Sequence, residues 1–320
     1  MDRIIYFTNK GECILRKLLR DDITYEIGVD IGGTKVLIAI ADDDGNIVFK
    51  EKVKTSPDVR KIIQVIDDCI QRMNIQPHTI NGIGIGVPGM VNSKDGIVID
   101  APSLKWGNLK LKEIFSEHYR VPIAIKNDVN LAILGERYFG GNKSNNIFYI
   151  AIGTGVGSAI IANGQIIEGT NYLAGEIGYF LGKEDVVPGR INHSLEFGTF
   201  ERKTSGTALT LKGKRLGYSS PELFLQYRNN NPEVGPLIYE FTLQLSIAIA
   251  NVVSLLNPEL VVIGGGVAES LDCIIDQIRA YVAKFTPVTT RIELSKLGGE
   301  AGALGGIACF LDYQNLKLEA

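Results

Sequence analysis

The sequence predicts an α/β protein with two similar domains, and three observations support this prediction. Strand-like alternation of apolar residues is followed several times by stretches with helical spacing. The length of 320 residues suits about two domains. One arrangement occurs twice: a strand, a glycine-threonine turn, a returning strand, and a turn with adjacent glycine and asparagine. Thr34 and Thr154 occupy matching places in the two copies, which indicates a repeated structural unit.

The elements of the first copy follow from alternation, helical spacing and turn residues. Ser56 and Pro57 predict the cap and the first residue of a helix, because serine caps helix N-termini and proline suits the first turn. Apolar residues then recur at helical spacing from Val59 to Met73. The expected strands are 27–31, 36–40, a third one after the turn at 43–46, 83–87 and 121–125, and a second helix is expected at 129–138.

The second copy and the C-terminal part repeat this design. Expected strands are 148–152, 156–162 and 260–263, and expected helices are 241–256 and a stretch from Leu271 to Val282. The tail 298–308 is rich in Gly and Ala, which permits close helix packing. We expect an N-terminal extension at 1–25 (a strand at 4–8, a helix at 13–19), a first domain at 26–126 plus a C-terminal helix at about 302–320, and a second domain at 127–301.

Composition and charge exclude several classes of protein. The net charge is −3, so the basic excess typical of a nucleic-acid surface is absent, although a small basic patch stays open. The four cysteines lie far apart with no C-x-x-C pair, which predicts reduced thiols. No apolar segment follows the charged N-terminus, and the apolar stretch 241–256 is too short and polar for a membrane span. We therefore expect a cytoplasmic protein.

Both glycine-threonine turns are candidates for phosphate binding. Glycines let backbone N–H groups point at an anion, and a threonine adds a hydroxyl donor. Asp30 precedes the first turn and could hold Mg²⁺ directly or through water, because a hard cation prefers oxygen ligands. Either turn alone suits an ordinary hairpin, but the repetition favours a clamp around a nucleotide. The candidate residues are Asp30, Gly32, Gly33, Thr34 and Lys35 in the first copy and Gly153, Thr154 and Gly155 in the second.

A further glycine run, Gly264, Gly265 and Gly266, follows an apolar strand. A backbone without side chains lets a flat ring or a ribose approach closely. A glycine-rich turn between a strand and a helix explains the run equally well.

Asn127 and Asp128 follow a short strand at the expected domain boundary. A carboxylate in an interdomain cleft could accept the proton of a hydroxyl group as that oxygen attacks a γ-phosphate. The alternative is that Asp128 caps the next helix, since Asp favours N-caps. Both roles can be filled if one of the two neighbouring side chains caps the helix and the other accepts the proton.

Six motifs follow one another in a fixed order between about Glu26 and Leu311. They are Asp30-x-Gly-Gly-Thr-Lys35, Gly86-Val-Pro-Gly89, Asn127-Asp128, Gly153-Thr-Gly155, Gly175-Glu-Ile-Gly178 and Gly264-Gly-Gly266. Together they resemble the ROK family (repressors, open reading frames and sugar kinases). The resemblance implies a two-domain actin-like ATPase fold (ribonuclease H-like) of the sugar kinase type. It also implies ATP and Mg²⁺ as cofactors, phosphorylation of a hexose by a glucokinase-like enzyme, and a homodimer.

The resemblance also assigns roles to residues. Asp128 would be the general base, the two glycine-threonine turns would hold phosphates, and the run beginning at Gly264 would hold adenosine. The residues expected to contact the sugar are Gly89, Asn127, Glu176, Tyr179 and Glu201.

The sequence departs from the ROK pattern at one site. Many members bind a structural zinc through one His and three Cys. Here Tyr179 replaces that His, and Asn192, Ser194 and Thr199 stand at the cysteine positions. A closed structural zinc site needs four N or S ligands, and His193 is nearby but off register. We therefore predict no zinc, with the loop held instead by packing of Leu195, Phe197 and Phe200.

Two other functions remain open from the sequence. A sugar-responsive transcription regulator of the same family would carry a helix-turn-helix reader of roughly 50–60 residues, and 25 residues precede the first clear strand. A catalytically silent sugar-binding protein is the other alternative. Asp30, Lys35 and Asp128 favour the kinase over both. Glucose is the first expectation for the substrate, with fructose, mannose and N-acetylated hexosamines also open.

Overall fold

The computed structural model describes residues 23–186 and 196–318. The predicted strand at 4–8, the predicted helix at 13–19 and the loop residues 192–195 lie outside this range. The chain divides into two compact units, Met1–Leu134 with Gly302–Ala320, and Gly135–Ala301. The predicted domain boundary after residue 126 stays a prediction.

The first unit contains the first copy of the repeat. The five strands and two helices expected there are confirmed, with shifted ends. Three short strands and one helix (β5, β6, β7 and α2 below) were not predicted. In chain order the elements are β1 (Tyr25–Ile31), β2 (Lys35–Asp42), β3 (Ile47–Lys54), α1 (Val59–Arg72), β4 (Ile80–Val87), β5 (Met90–Asn92), β6 (Ile97–Ala101), β7 (Trp106–Leu109), α2 (Leu111–Tyr119), β8 (Ile123–Asn127) and α3 (Asp128–Tyr138).

The main sheet of the first unit has five strands in the order β3-β2-β1-β4-β8. The pairs β1–β2 and β2–β3 are antiparallel, whereas β1–β4 and β4–β8 are parallel. Alternating residues of β1, including Ile27, Val29 and Ile31, are fully buried. The carboxyl ends of β1, β4 and β8 lie at one edge of the sheet, where ligands of α/β proteins commonly bind.

The predicted start of α1 at Ser56 and Pro57 is wrong. The cap is Asp58, whose carboxylate accepts a hydrogen bond of 3.0 Å from the backbone N–H of Arg60. The carbonyl of Pro57 lies outside the helix because it accepts the indole N–H of Trp106 at 2.7 Å. An aspartate one residue further along therefore takes the capping position.

The second unit contains the second copy of the repeat. Its predicted strands and its long helix are confirmed. The helix predicted over 271–282 is interrupted, because Ile274 leaves the helical backbone (φ −126°) between a 3₁₀ turn at Ala268–Cys273 and the helix proper. The elements are β9 (Ile147–Ile152), β10 (Val156–Ala162), β11 (Gln165–Ile166), α4 (Glu201–Thr204), α5 (Gly206–Lys214), α6 (Ser220–Arg228), α7 (Gly235–Leu256), β12 (Leu260–Gly264), α8 (Ile275–Phe285) and β13 (Arg291–Leu294), followed by α9 (Ala301–Leu318).

The sheet of the second unit repeats the plan of the first. Its order is β11-β10-β9-β12-β13, with antiparallel β9–β10 and β10–β11 pairs and parallel β9–β12 and β12–β13 pairs. β1 and β9 thus each pair antiparallel with the next strand in sequence and parallel with a later one. The repeat predicted from Thr34 and Thr154 is confirmed at the level of topology.

Helix α7 is long and apolar enough to cross a membrane, but the helix is half buried within the second unit. Phe241, Leu245, Ile249 and Val253 belong to the core that also contains Phe148 and Ile263 from the sheet. Core helices of soluble proteins meet the same length and composition criterion, so this helix is weak evidence for a membrane span.

Helix α9 belongs mainly to the first unit and packs directly on its sheet. A Cβ atom on Gly28 of β1 would clash with the carbonyl oxygen of Ala303, and one on Gly84 of β4 would clash with that of Gly306. The close packing expected from the glycine- and alanine-rich tail is therefore confirmed.

Candidate active site

The first glycine-threonine turn (residues 32–35) joins β1 to β2. Ile31 pairs with Val36, so four residues form the turn, and the N–H of Gly32 donates to the carbonyl of Lys35 at 2.9 Å. Gly33, Thr34 and Lys35 are exposed. The turn therefore leaves its glycine, hydroxyl and ammonium groups accessible to a ligand.

Thr55 holds this first turn from behind. Its Oγ1 donates to the carbonyl of Gly32 at 2.7 Å, and its backbone N–H donates to the carbonyl of Thr34 at 3.0 Å. Two of the four turn carbonyls are thus occupied by a residue that follows β3 directly. Sequence reasoning missed Thr55, and its one signal was a threonine at the end of the third strand.

The second glycine-threonine turn (residues 153–155) joins β9 to β10. Ile152 pairs with Val156, so this turn has three residues, and the N–H of Gly153 donates to the carbonyl of Gly155 at 2.9 Å. Thr154 is exposed, like Thr34.

The chain segment 201–207 holds the second turn. The N–H of Gly206 donates to the carbonyl of Gly153 at 2.8 Å, and Thr207 Oγ1 donates to the carbonyl of Thr154 at 2.7 Å. On the other side of the turn, Glu201 Oε1 accepts the N–H of Val156 at 2.8 Å. Thr207 was not predicted, because nothing in the sequence pattern places it beside a turn so distant along the chain.

Asp30 and Asp128 lie on either side of Gly86 in the first unit. A Cβ atom on Gly86 would lie 3.5 Å from Asp30 Oδ1 and 3.4 Å from the Cα atom of Asp128. Burial, followed by the charge of Asp128, raises the pKa of Asp30 to about 7, while Lys52 opposes the rise. Burial also raises the pKa of Asp128, against the hydrogen bond from the N–H of Val129. Two carboxylates with raised pKa values in one place form an unusual pair, of the kind found at functional sites.

Asn127, and not Asp128, caps helix α3. Asn127 Oδ1 accepts the N–H groups of Val129 and Asn130 at 2.9 and 3.1 Å, and Asn127 Nδ2 donates to the carbonyl of Gly89 at 3.0 Å. Asp128 is the first helical residue, and its Oδ1 accepts the N–H of Val129 at 2.9 Å. Asn127 is therefore the helix cap, and Asp128 is the carboxylate next to it.

Three residues expected to bind sugar lie together in the second unit. Glu176 precedes a 3₁₀ turn at Ile177–Tyr179, and burial, followed by the carboxylates of Glu176 and Glu201, raises the pKa of Tyr179. Glu201 Oε2 accepts the N–H of Gly198 at 3.1 Å. Both carboxylate oxygens of Glu201 thus accept backbone N–H groups, and burial raises its pKa against these two bonds.

The next two residues of α4 hold the loop that precedes it. Arg202 donates to the carbonyl of Phe197 at 2.7 Å and pairs with Glu196 at 2.9 Å. Lys203 pairs with Asp185 at 2.6 Å. Of the packing predicted for this loop, Phe200 is buried (5% exposed), but the prediction for Phe197 is wrong, since that ring is 40% exposed. Its backbone carbonyl, held by Arg202, anchors the segment instead.

Metal ligands are sparse in the described ranges 23–186 and 196–318, where no group of three or more His, Cys, Asp and Glu side chains could hold a metal ion. Of the three former cysteine positions, only Thr199 falls in this range, and it is buried. The absence of zinc stays a prediction.

A model of the ROK family matches residues 26–312, which is most of the chain. The chain belongs to the ROK family. Its fold is the two-domain actin-like ATPase fold of ROK sugar kinases.

Relatives of this ROK protein include both enzymes and regulators. It is 30% identical to a glucokinase of Halalkalibacterium halodurans, over 88% of this chain and 93% of that protein. It is 31% identical to a xylose repressor of Caldicellulosiruptor bescii, over 90% of this chain and 78% of the repressor. Among solved structures, a ROK family glucokinase from Streptomyces griseus in complex with glucose and AMPPNP superposes with a TM-score of 0.74, at 26% identity, over 91% of this chain and 99% of that one.

The three glycines of the run Gly264–Gly266 in this ROK protein do not share one explanation. A Cβ atom on Gly264 would clash with the hydroxyl of the buried Tyr149, and one on Gly265 (φ 83°) would lie 2.5 Å from the carbonyl oxygen of Ile152. A Cβ atom on Gly266 would meet no atom of the described structure within 4 Å. Packing and backbone conformation thus account for the first two glycines, and only Gly266 borders open space.

Proposed function

We propose that this protein is a cytoplasmic, homodimeric kinase that transfers the γ-phosphoryl group of ATP to a hydroxyl group of a hexose. The observation that carries the proposal is that Asp128 and Asp30 both lie beside Gly86, at the carboxyl ends of β1, β4 and β8, where the charge of Asp128 raises the pKa of Asp30. Asn127 supplies the helix cap, and the Asp128 carboxylate accepts one further N–H, that of Val129. The similarity to glucokinases supports the same activity.

Asp128 acts as the general base in this proposal. Its carboxylate accepts the proton of the attacking hydroxyl as that oxygen bonds to the γ-phosphorus and ADP leaves, and the proton then passes to solvent. A pKa raised above the usual range of an aspartate brings the base closer to the operating pH, which favours proton transfer.

The residues around Asp30 fit a magnesium ion. Burial, followed by the charge of Asp128, raises the pKa of Asp30, so a bound cation would stabilise the charged carboxylate. Mg²⁺ prefers one or two carboxylates plus water and phosphate oxygens. Asp30 would hold the ion directly or through water. When bound with ATP, the ion would neutralise charge on the phosphates.

The remaining assignments follow the resemblance to the ROK family. Phosphate oxygens are assigned to Gly32, Gly33, Thr34 and Lys35 and to Gly153, Thr154 and Gly155, and adenosine to the run at Gly264–Gly266, with Gly266 as the open position. Sugar hydroxyls are assigned to Gly89, Asn127, Glu176, Tyr179 and Glu201, with glucose as the first expectation.

A coupled assay of ATP turnover across a panel of hexoses and N-acetylated hexosamines tests the proposal. We expect turnover that depends on one or a few sugars, on Mg²⁺ and on the carboxylate of Asp128. Sugar binding without turnover of ATP, under conditions where the protein is folded, would contradict the kinase.

A second function is favoured by one observation, the similarity to xylose repressors over most of the chain. Such a regulator would bind a specific DNA sequence and change its affinity for DNA when a sugar binds. Sugar-dependent release of DNA by the full-length protein, together with no phosphorylation of that sugar, would support the regulator over the kinase.

A further inference from the structure

The segment 201–207 contacts two groups of residues that the proposed function uses for different ligands. One group is the second glycine-threonine turn, assigned to phosphate. The other is the loop around Tyr179 and Gly198, which lies next to residues assigned to sugar. All the atoms concerned belong to the second unit.

Glu201 bridges the two groups through one carboxylate. Its Oε1 accepts the N–H of Val156, the first residue after the phosphate turn, and its Oε2 accepts the N–H of Gly198. A Cβ atom on Gly178, next to Tyr179, would lie 3.4 Å from the Cβ atom of Glu201 and 3.1 Å from the carbonyl oxygen of Val156. The sugar-side loop, the carboxylate and the strand after the turn are therefore in direct contact.

Thr207 completes the connection at the tip of the turn. Its hydroxyl is anchored to the carbonyl of Thr154, while Ser205, fully buried, caps α5 by accepting the N–H of Ala208 at 3.1 Å. The cap fixes the start of α5, so a shift at Glu201 is transmitted along a short segment with bonded ends. Packed elements of this kind respond to a ligand by shifting together rather than by deforming gradually.

We propose that the segment 201–207 couples sugar binding to the binding of nucleotide phosphates, with Glu201 as the bridge and Thr207 as the residue that positions the turn. A sugar bound beside Tyr179 restrains Glu201, which accepts the N–H of Gly198, and, through Thr207, the carbonyl side of the second turn. The inference rests on the proposed function. It gives Thr207 a positioning role, adds one to the sugar contact already assigned to Glu201, and places no step of the chemistry on either residue.

Isothermal titration of Mg²⁺ and AMPPNP, with and without saturating glucose, tests the coupling, and the hexose with the highest turnover in the panel replaces glucose if it is a different one. In the wild type we expect the sugar to tighten nucleotide binding by about 5–150-fold, the range typical of coupled sites. Thr207→Val removes the hydroxyl donor and keeps the size, so this factor should fall to near one. The Kd of the sugar alone should stay within about twofold, since the bond from Gly198 to Glu201 is intact.

Thr210→Val is the matched control. Thr210 lies one turn further along α5, and its hydroxyl also donates to a backbone carbonyl at 2.7 Å, that of Gly206 and not that of a turn residue. We expect wild-type coupling in this variant, and near wild-type coupling in Thr207→Ser, which keeps the hydroxyl. If Thr207→Val does not fold, Glu201→Gln carries the test, because its amide can accept from Val156 but cannot accept from Gly198 through its nitrogen.

Three outcomes would overturn the inference. The first is a wild-type protein that binds both ligands without coupling, and the second is undiminished coupling in Thr207→Val or, if that variant does not fold, in Glu201→Gln. Both leave the kinase proposal standing. A wild-type protein that binds neither the nucleotide nor any sugar of the panel would overturn the inference and the proposed function together.

Discussion

The two glycine-threonine turns are held by the same kind of hydrogen bond, but the threonine that forms it comes from a different part of the chain in each. In each, a threonine outside the turn donates its hydroxyl to a turn carbonyl at 2.7 Å. In the first unit that threonine is Thr55, which follows the neighbouring strand directly. In the second unit it is Thr207, which comes after β10, β11 and α4 in the chain. The first turn is thus held locally, and the second depends on a distant segment.

The length of the third strand explains the difference. β3 runs the full length of β2, and Lys54 pairs with Lys35 at the turn, so the next residue, Thr55, arrives beside it. β11 contains only Gln165 and Ile166 and pairs at the far end of β10. The chain therefore does not return to the second turn along the sheet, and the N-terminal end of α5 supplies the missing threonine. Both copies of the repeat thus have a threonine that donates to a turn carbonyl, but this threonine comes from a different part of the chain in each copy.

The largest expected effect comes from Asp128, which belongs to neither turn. Asp128→Asn keeps size and most hydrogen bonding but removes the proton acceptor, so kcat should fall by about 10²–10⁴-fold. The Kd of the sugar should change far less and that of AMPPNP little, because both turns are intact. Steady-state kinetics and titration measure the two quantities. A near-normal kcat would refute Asp128 as the base, and a large loss of nucleotide affinity would show that the turns do not act independently of it.

The second prediction concerns the pH dependence of stability in the first unit. The pKa of Asp30 in the folded, ligand-free protein is about 7, above its ordinary value of 3.8, so folding favours the protonated form. Its contribution to stability is therefore greatest below about pH 4 and is lost as the pH rises through 7. Asp30→Asn removes this dependence. Thermal melts should show the variant gaining stability relative to wild type between pH 5 and pH 8, and a constant difference would contradict the raised pKa.

A smaller effect separates the two turns directly. Thr55→Val removes the hydroxyl that holds the first turn, and a net loss of about 1 kcal/mol corresponds to roughly a fivefold weaker Kd for AMPPNP. Because Thr55 holds the first turn and the proposed coupling runs through the second, the coupling between sugar and nucleotide should stay at the wild-type value. Titration with and without sugar compares this variant with Thr207→Val. Equal loss of coupling in both variants would show that Thr55 and Thr207 do not differ in their effect on coupling.

The smallest effect on binding is expected from the cap of α1, three residues after Thr55. Asp58→Ala should lower the free energy of unfolding by about 1 kcal/mol, as for other lost N-caps, and should leave nucleotide affinity unchanged. Ser56→Ala is the matched control and should cost less, because Asp58 is the cap. Denaturant unfolding and titration measure the two effects. A weaker affinity for AMPPNP in Asp58→Ala would mean that the position of Thr55 depends on α1 as well as on β3.

Sequence reasoning predicted the parts of this molecule that depend on local pattern. Alternation placed β1, β2, β9 and β10, and the glycine-rich tail predicted the close packing of α9. The cap of α1 was missed because the indole of Trp106, distant in sequence, decides where the carbonyl of Pro57 lies. Thr55 and Thr207 were missed for the same reason, since their bonds join residues 23 and 53 positions apart. The site assignments themselves stay predictions.

The packing of α9 has a consequence for synthesis of the chain on the ribosome. The second unit is one continuous stretch, whereas the first needs Gly302–Ala320 to complete it. Gly28 and Gly84 leave a face of β1 and β4 that only a closely approaching helix can fill. Because chains emerge from their N-terminus, this face remains uncovered until α9 has been made, although its strands were synthesised first. Synthesis of α9 therefore decides when β1 and β4 can finish folding.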